Sequence, residues 1–521
     1  MKILVHKRAL VPVKVISSNG EEINLKSKSC TAALWELAGR FPNELLGWCE
    51  EAHSEQLDLE EWKKIFHHDL IMASYAVEST FLPESIGYVE QLPFANLNRD
   101  VFYGTWRMSR DVGGVHAKVL LLFKPSMNRV RDFEYLINSV AKLGQQNSLF
   151  CYSSPGLVKE PPAKPVVHTA SRHQLFTFVY QHYNSVWLMI LIWCLYKYEK
   201  KFPVKSLLKG FKTEKYFQKK VDLSEITVSS CRFPEVSEAI DVIIPTMGRR
   251  DHLYNVLKDF TEQTLLPRKL IIVEQNPDSN SVSDLDYLKK EKWPFEIIHH
   301  FIHRTGACNA RNLALAETTA DWVFFSDDDQ RFDKDLLENI FKEIKKFGVD
   351  GLTTSYLQSG EKKNFTVPKQ WGTFGAGNSV VLAEFARSVK FSPAFEHGYG
   401  EDMDYGMQLR NLGCDIIYHP GLVIHHIKAE TGGFREKTNM DWEKERIKPK
   451  PSPTLMAYAL KYYSKEQLMG FKTSLLLKYY NKQAVKNPFK YNREMRESWK
   501  KSKTWARKLL LLERTLKDRT I

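Results

Sequence analysis

Short apolar segments alternate with longer amphipathic ones over the first 155 residues of the chain. The apolar runs predict three strands, and the 3.6-residue periodicity between them predicts two helices: strands at Leu45–Trp48, Leu70–Ala76 and Ala117–Phe123, and helices at Leu57–Phe66 and Arg131–Leu143. Strands and helices that alternate in this way are typical of an α/β unit. We therefore predict an α/β domain over residues 1–155.

A second and more regular alternation begins at Asp241. It predicts four strands and two helices: strands at Asp241–Pro245, Lys269–Glu274, Phe295–Phe301 and Trp322–Ser326, and helices at Arg250–Gln263 and Ala307–Glu317. Such a pattern indicates a mostly parallel sheet with helices on both faces. Ligands bind these sheets beyond the carboxyl ends of the strands, so the residues that follow each strand are the candidate site.

The rest of the chain divides into a connector and a tail. Aromatic residues at helical spacing predict a helical connector between about His173 and Phe217, after a proline-rich stretch that closes the first domain. A total length of 521 residues is too great for one ordinary core. We predict an N-terminal domain, a connector, a second α/β domain and a helical tail, with the bounds 1–155, 156–235, 236–440 and 441–521.

Charge changes the picture only for the tail. From Asp441 to Ile521 the chain has 21 Lys and Arg against 8 Asp and Glu, and the difference of +13 equals the net charge of the whole chain. A basic tail interleaved with aromatic residues is suited to anionic lipid headgroups or to nucleic acid, and a solvated helical extension is the plain alternative. Nothing else in the sequence favours nucleic acid, so we do not expect it as a partner.

The cysteines and the N-terminus favour a cytoplasmic protein. The seven cysteines are scattered, without a C-x-x-C pair, so neither a disulfide framework nor a zinc site is indicated. The first eight residues interrupt their apolar stretch with charge and are followed by no small-residue cleavage site, unlike a secretory signal. We predict a cytoplasmic location, with contact at the inner face of the membrane as an added expectation.

The longest apolar run, Val186–Tyr196, is the basis of that added expectation. It is shorter than the roughly 20 residues of a membrane-spanning helix. Two tryptophans lie within it and several lysines follow, as in a helix that lies at a membrane surface. The interpretation of residues 186–205 as a membrane-interface segment stands beside the alternative of a buried core helix.

Three consecutive carboxylates are the clearest chemical feature of the second domain. Asp327, Asp328 and Asp329 follow directly after an apolar strand. Adjacent like charges repel one another, and a hard divalent cation such as Mg²⁺ or Mn²⁺ would offset that repulsion. Capping of a following helix is the alternative, although one aspartate would suffice for it.

Polar or small residues also follow the other strands. Pro245 and Thr246 lead into a helix whose first N–H groups could hold a nucleotide, and Glu274 could hydrogen-bond a nucleobase. Gly377 lies in a small-residue turn that lets the backbone approach a sugar. Glu401 and Asp402 begin a helix after a Gly-Tyr-Gly run, where helix capping competes with a catalytic role.

Taken together, these segments resemble a known family. The similarity rests on six segments in order: Pro245–Asp251, Gly306–Asn312, Asp321, Asp327–Asp329, Gly400–Asp402 with Arg410, and His425–His426. Their order and approximate spacing are similar to those of inverting family 2 glycosyltransferases with the GT-A fold, over about 200 residues of the chain.

The resemblance implies a role for each matching position. Asp402 resembles the catalytic base, and Asp329 resembles the metal ligand, with His425 chosen as a further ligand over the adjacent His426. The donor-site positions are Pro245, Thr246, Glu274 at the base, Arg311, Asp321, Asp327 near the ribose, the spacer Asp328, Gly377, Glu401, and Arg435 in a loop over the diphosphate.

The resemblance also implies an activity. It is the metal-dependent transfer of a sugar from a nucleotide sugar, with UDP as the expected nucleotide and Mn²⁺ or Mg²⁺ as the cofactor, to a hydroxyl of a glycan or lipid-linked acceptor in polysaccharide or glycoconjugate synthesis. Two other classes remain open: a nucleotidyltransferase acting on sugar phosphates, and a non-catalytic protein that binds sugar nucleotides or membranes. Residues 1–155 faintly resemble a degenerate sugar-transferase domain without the acidic triplet.

Overall fold

The computed structural model of the chain describes residues 1–18, 20–161, 166–201, 213–233, 237–363, 365–430, 440–483 and 486–518. The chain forms two compact units. The first consists of Met1–Pro234, Lys346–Gly348 and Ser464–Ser474, and the second of Glu235–Lys345, Val349–Tyr463 and Leu475–Ile521. The first unit thus takes in the described part of the predicted connector, and the second takes in most of the predicted tail.

The first unit is built on a mixed sheet flanked by helices. Its strands are β1 (Lys2–Lys7), β2 (Val11–Ser17), β3 (Leu45–Glu50), β4 (Ile71–Tyr75), β5 (Ser79–Thr80), β6 (Tyr103–Gly104), β7 (Val112–His116), β8 (Phe150–Ser153) and β9 (Val167–His168). Its helices are α1 (Cys30–Arg40), α2 (Leu59–Ile65), α3 (Ala117–Met127), α4 (Phe133–Gly144), α5 (Arg172–His182) and α6 (Ser185–Glu199). Seven of the strands form one sheet in the order β2-β1-β3-β7-β4-β8-β6.

Two glycines explain how this sheet accommodates its largest side chains. A Cβ atom at Gly113 would lie 2.5 Å from the ring of Trp48, and one at Gly47 would lie 2.7 Å from the ring of Trp62. Both tryptophans are fully buried, and both indole N–H groups donate to backbone carbonyls. Gly113 of β7 and Gly47 of β3 therefore make room for the two tryptophans of the core.

One predicted element of the first unit is wrong. The segment Ala117–Phe123 forms most of α3 and not a strand. An apolar run of seven residues fits a buried strand or a buried helix equally well. The real strand lies just before it, at Val112–His116, and the chain turns directly from that strand into the helix.

The second unit has the predicted mostly parallel sheet between helices. Its strands are β10 (Ile240–Thr246), β11 (Lys269–Gln275), β12 (Glu296–Ile302), β13 (Trp322–Ser326), β14 (Gln330–Phe332), β15 (Gly351–Leu357), β16 (Lys369–Gln370), β17 (Asn378–Leu382) and β18 (Ile416–His426). The helices from here to the end of the chain are α7 (Arg250–Thr261), α8 (Tyr287–Lys290), α9 (Ala307–Ala316), α10 (Leu336–Phe347), α11 (Ala383–Ser388), α12 (Glu401–Asn411), α13 (Pro453–Tyr462), α14 (Lys465–Lys482) and α15 (Pro488–Asp518).

The register of this sheet places the candidate residues at one edge. The strand order is β12-β11-β10-β13-β17-β15-β18-β14, and β10, β11, β12 and β13 are all parallel. Thr246 of β10 is paired with Glu274 of β11, and the acidic triplet follows β13, which runs parallel to β10 on its other side. Three predicted strand ends therefore meet at the carboxyl edge of the sheet, and the predicted fold class is confirmed.

Five strands of each sheet share one topology. Their spatial order is β1-β3-β7-β4-β8 in the first unit and β10-β13-β17-β15-β18 in the second. In both sheets the middle strand is antiparallel to its two neighbours, and the two outer pairs are parallel. The order of these strands along the chain is also the same, so the first sheet repeats part of the topology of the second.

In the described parts of 441–518 the tail is largely helical, as α13, α14 and α15. Among the helices that the structure describes, none is long and apolar enough to cross a bilayer. All seven cysteines lie in described segments and carry free thiols.

Candidate active site

A cavity of about 910 Å³ lies beyond the carboxyl ends of β10 and β13 in the second unit. Nine of the residues predicted from the sequence line it: Pro245, Thr246, Arg311, Asp327, Asp328, Asp329, Gly377, Glu401 and Asp402. These residues come from separate loops and from the first turns of helices, so the fold brings together positions that are far apart in sequence. The cavity is large enough for a ligand of several linked groups.

The acidic triplet is balanced by protein cations. The Arg249 guanidinium donates to Asp328 at 2.6 Å and lies 3.1 Å from the Asp329 carboxylate. Thr246 donates its hydroxyl to Asp328 at 2.7 Å. The repulsion expected between these carboxylates is therefore already reduced by the chain itself, before any bound cation is considered.

The pKa values of Asp328 and Asp329 are shifted in opposite directions. Burial raises the pKa of Asp328 to about 6, although Arg249 and Thr246 both oppose the change. Burial would also raise the pKa of Asp329, but the hydrogen bond with His426, the charge of Arg249 and the N–H of Ala429 together lower it to about 2. Asp329 therefore stays ionised at neutral pH and is suited to hold a cation.

Asp327, the first carboxylate of the triplet, is held by two hydrogen bonds. Arg311 donates to it at 3.2 Å, and the Tyr356 hydroxyl donates to its second oxygen, also at 3.2 Å. Gly377 packs directly against it, because a Cβ atom at this position would lie 2.0 Å from Asp327 Oδ2. Only glycine at position 377 allows the carboxylate to keep both hydrogen bonds.

We expect the variant Gly377→Ala to be less stable than the wild type by about 1–3 kcal/mol, since the added methyl group must displace a carboxylate that is held on both sides. The control is Gly39→Ala in α1, where a Cβ atom meets nothing within 4 Å. That substitution is expected to be neutral or stabilising by up to about 1 kcal/mol. Urea unfolding of both variants measures the difference, and equal stabilities would contradict this account of Gly377.

Glu401 and Asp402 line the cavity from the first turn of a helix. They open α12, whose N-cap residue Gly400 has a φ of 106°. Burial raises the pKa of Glu401 to about 7, with the charge of Asp402 adding to the effect. Burial also raises the pKa of Asp402, although the nearby charge of Arg311 opposes it. A carboxylate with a raised pKa accepts a proton more readily than an ordinary one.

Arg311 and Asp402 have buried polar atoms without a hydrogen-bond partner among the described residues. Arg311 Nη1 lies 4.0 Å from Asp402 Oδ1, which is an ion pair without a hydrogen bond. Both atoms, and Arg311 Nε, are buried and have no hydrogen-bond partner among the residues that the structure describes. Buried polar groups are normally satisfied, so these atoms are available for a ligand in the cavity.

Asp329 and His426 are suited to hold a divalent cation. Asp329 Oδ1 and His426 Nε2 are 3.4 Å apart, and both residues line the cavity. Within the described residues, no group of three or more His, Cys, Asp and Glu side chains is arranged to hold an ion unaided. Mg²⁺ is commonly bound through one or two protein ligands together with substrate phosphates and water. The two residues fit a cation that binds in this way.

Comparison with known families settles the class of this segment. The model described as glycosyl transferase family 2 matches residues 241–395, a range that contains the acidic triplet, Arg311 and Gly377. Residues 241–395 belong to glycosyl transferase family 2. The family resemblance predicted from the sequence is thus confirmed for this segment, which we call the family 2 segment.

Two curated relatives are uncharacterized glycosyltransferases. One, from Haemophilus influenzae, is 25% identical over 107 residues, which are 20% of this chain and 35% of the relative. The other, YwdF from Bacillus subtilis, is 32% identical over 106 residues, which are 20% of this chain and 38% of the relative. The chain thus spans little more than a third of the length of the curated relatives that it matches.

Two solved structures show lower similarity. The crystal structure of residues 1–349 of S. aureus TarS in complex with UDP-GlcNAc is 14% identical, with a TM-score of 0.37, and the match covers 50% of this chain and 79% of that fragment. GalNAc-T7 with UDP, GalNAc and Mn²⁺ is 13% identical, with a TM-score of 0.30, over 36% of this chain and 44% of that protein.

Of the two adjacent histidines, His426 lines the cavity and the chosen His425 does not. In β18, His425 is exposed and His426 faces the cavity, where its ring stacks on Tyr356 with centroids 4.6 Å apart. Successive residues of a strand point to opposite faces, so the two histidines cannot both reach Asp329. His426 therefore replaces His425 in the proposed ligand set.

Two other predicted donor residues, Asp321 and Glu274, do not line the cavity. Asp321 is exposed and precedes β13, so the full length of that strand separates it from the acidic triplet, and it is not part of the site. Glu274 is buried at the correct sheet edge, where it accepts from Ser283 at 2.5 Å and contacts His299 at 2.9 Å. Arg435 lies outside the described residues.

Sequence reasoning assigned no role to several residues that shape the family 2 segment. Arg249 lies in the segment Pro245–Asp251, and its position shortly after a strand could have indicated its contact with Asp328 and Asp329. Glu396 accepts from the N–H groups of Cys308 and Asn309 in the first turn of α9. The N-terminus of α9 is therefore capped by the carboxylate of Glu396. No local sequence pattern could predict this contact, because Glu396 lies far along the chain from α9.

Proposed function

We propose that the chain is an inverting, metal-dependent glycosyltransferase that moves a sugar from a UDP-sugar to a hydroxyl of a glycan or lipid-linked acceptor. The observation that carries the proposal is one cavity of the second unit, where Asp402 and Arg311 lie with the acidic triplet. The family 2 assignment of residues 241–395 supports it. The expected setting is the synthesis of a polysaccharide or glycoconjugate.

The donor would bind along the carboxyl edge of the sheet. Asp327, fixed by Tyr356 and Arg311, is placed to accept hydrogen bonds from ribose hydroxyls. Glu274 lies beside Thr246 in the sheet register, and hydrogen bonds from His299 and Ser283 lower its pKa despite its burial, so it would meet the base as a carboxylate. The free N–H groups of Arg311 would meet the diphosphate or the sugar.

A cation completes the donor site in this proposal. Asp329 and His426 would hold Mg²⁺ or Mn²⁺, which when bound acts as a Lewis acid and neutralises negative charge on the diphosphate. Arg249 shares the charge of Asp328 and Asp329, so it also limits how much negative charge the acids present to the diphosphate.

Asp402 is the proposed general base. The acceptor hydroxyl attacks the anomeric carbon from the face opposite the diphosphate, and Asp402 takes the hydroxyl proton as the new C–O bond forms. The bond from the anomeric carbon to the phosphate oxygen breaks, and its electron pair leaves with the nucleoside diphosphate. One displacement of this kind inverts the anomeric centre, and a base positioned for it contributes about 10²–10⁴ in rate.

The first unit is proposed to be a decayed relative of the family 2 segment. It repeats the order and directions of five strands. The strand that corresponds to β13 is β3, which ends at Glu50 and leads into Glu51 where the other unit has three aspartates. Glu50 accepts from the backbone N–H of Arg8 at 2.9 Å and contacts His6 at 3.3 Å. Acceptor binding or membrane docking is its proposed role, and the cytoplasmic location stays a prediction.

Calorimetry with nucleoside diphosphates tests the proposed donor class. UDP, GDP, CDP and TDP are titrated into the full chain with Mn²⁺ present, and UDP is expected to bind most tightly. Arg311→Leu is expected to weaken that binding at least tenfold, since it removes a buried charged donor. Tighter binding of another diphosphate would replace UDP in the proposal, whereas preference for a nucleoside triphosphate with a sugar phosphate would favour a nucleotidyltransferase.

A further inference from the structure

The helix α6 has an apolar face that the described part of the chain leaves exposed. Val186, Met189, Trp193 and Tyr196 are 59%, 66%, 53% and 53% exposed. Their positions follow the spacing i, i+3, i+7 and i+10, which places them on one side of the helix. Single exposed apolar residues are ordinary on protein surfaces, but an aligned stripe with a tryptophan and a tyrosine indicates an interaction surface.

The opposite face of α6 is anchored in the first unit. Leu188, Leu191, Cys194 and Leu195 are buried, and the thiol of Cys194 donates to the Thr473 hydroxyl at 3.5 Å. A helix that is apolar on all sides is normally buried on all sides. The alternative of a buried core helix therefore applies to one face of α6, and the other face is exposed.

Positive charge stands at both ends of the stripe. Lys215 donates to the Ser185 hydroxyl at the first residue of α6, at 2.8 Å. Lys197 is in the last turn, and Lys200 and Lys201 follow as exposed residues. Lysine stems can lie along an apolar surface while their ammonium groups reach anionic headgroups.

Acidic charge on α6 is limited to one residue. Glu199 is the only Asp or Glu in the sequence from Ser185 to Glu199. Its carboxylate accepts from the Tyr88 hydroxyl at 3.3 Å and from Lys201 at 3.1 Å. The charge on α6 and on the two residues that follow it is therefore mainly positive, which matches an anionic surface and not a neutral one.

We propose that the exposed face of α6 docks the protein on an anionic lipid bilayer, with the helix lying in the plane of the membrane surface. Fifteen residues give a helix about 22 Å long, which fits the interface but not a crossing. Trp193 and Tyr196 belong to the residue types enriched at the level of the headgroups. The proposal is independent of the sugar-transfer reaction and goes beyond it.

Vesicle flotation with the full chain tests this docking. The wild type is expected to float with phosphatidylcholine vesicles that contain phosphatidylglycerol, and to bind pure phosphatidylcholine vesicles much more weakly. The variant Met189→Ser with Trp193→Ser is expected to lose at least tenfold in partitioning, since it removes two exposed apolar side chains. The variant Lys197→Gln with Lys200→Gln is expected to lose about fivefold for each lysine, and only with anionic vesicles.

The matched control makes the same kind of change on another basic helix. Leu511 and Leu512 of α15 are 60% and 59% exposed, and the variant Leu511→Ser with Leu512→Ser is expected to float within twofold of the wild type. The proposal is overturned if the wild type does not bind anionic vesicles, if the α6 variant binds as well as the wild type, or if the control loses as much. It is also overturned if the α6 stripe instead holds two copies together, which sedimentation of wild type and variant would show.

Donor turnover in solution separates this proposal from the proposed function. The four α6 side chains lie outside the candidate site, so the α6 variant is expected to keep its turnover while it loses membrane binding. Should the double variant fail to fold, as judged by circular dichroism, Trp193→Ser alone gives the same comparison, with a smaller expected loss.

Discussion

Asp402→Asn is expected to lower donor turnover by about 10²–10⁴, because asparagine has the shape of the base but cannot accept the proton. Its stability at neutral pH is expected to be equal to that of the wild type or higher. The raised pKa of Asp402 means that the folded protein disfavours its charged form, and the substitution removes that charge. Steady-state turnover and thermal unfolding measure the two effects separately.

The control for this prediction lies on the same helix. Asp404 accepts hydrogen bonds from Lys461 at 2.7 Å and from Tyr462 at 2.8 Å, and it does not line the cavity. Asp404→Asn makes the same chemical change two residues away. It is expected to lower stability, because it removes the charge of a buried ion pair with Lys461, but to keep the turnover of the folded protein within about threefold. Equal losses in the two variants would mean that Asp402 acts through the fold of α12 and not as a base.

The dependence of turnover on pH gives a second view of Asp402. A base works only when deprotonated, so kcat/KM of the wild type should fall as the pH drops through the raised pKa of the Glu401 and Asp402 pair. That fall should begin at a higher pH than an ordinary carboxyl would give. In Asp402→Asn the acidic limb assigned to Asp402 should disappear.

Asp329→Ala is expected to abolish the stimulation of turnover by Mn²⁺ or Mg²⁺ and to lower turnover by about 10³. A bound cation contributes several kcal/mol of charge stabilisation, and the variant lacks its proposed carboxylate ligand. The variant also removes the ion pair between Asp329 and Arg249. The freed charge of Arg249 is not expected to replace the cation as a Lewis acid. Titration of turnover with Mn²⁺ measures the effect.

The adjacent histidines supply the matched pair for the metal site. His426→Ala should raise the Mn²⁺ concentration needed for half-maximal turnover by about 10–100-fold, the range found when a ligand environment is weakened. His425→Ala, one residue earlier and exposed, should leave that concentration unchanged. The reverse result would contradict the orientation of β18, and equal small effects would remove both histidines from the metal site.

The sequence predicted the core of the second unit well because the signals there are local. Trp322–Ser326 is an apolar run closed by charges, and its observed bounds are those predicted. The acidic triplet and Thr246 could be placed together because residues that follow parallel strands meet at one edge of the sheet, whereas Asp402 was assigned to the site by the family resemblance. The segment Ala117–Phe123 failed because its apolar run had no periodicity that separates a helix from a strand.

Three other site predictions failed or were not made, each for a different reason. In Leu422–Val423–Ile424 three apolar residues precede the histidines, so the sequence gave no alternation from which to tell the inward His426 from the outward His425. Asp321 was assigned by resemblance alone, although it precedes the predicted strand Trp322–Ser326 and so lies at the opposite end of that strand from the triplet. The contact of Glu396 with the start of α9 joins residues 87 and 88 positions apart, beyond any local pattern.

The most direct test of the account is donor hydrolysis without an acceptor, measured for a panel of nucleotide sugars with Mn²⁺. We expect the wild type to cleave one donor slowly, Asp402→Asn and Asp329→Ala both to lose this activity, and Asp404→Asn and His425→Ala to keep it. If the wild type cleaves no donor, or if the Asp402 and Asp329 variants cleave one as fast as the wild type does, the cavity is not a sugar-transfer site.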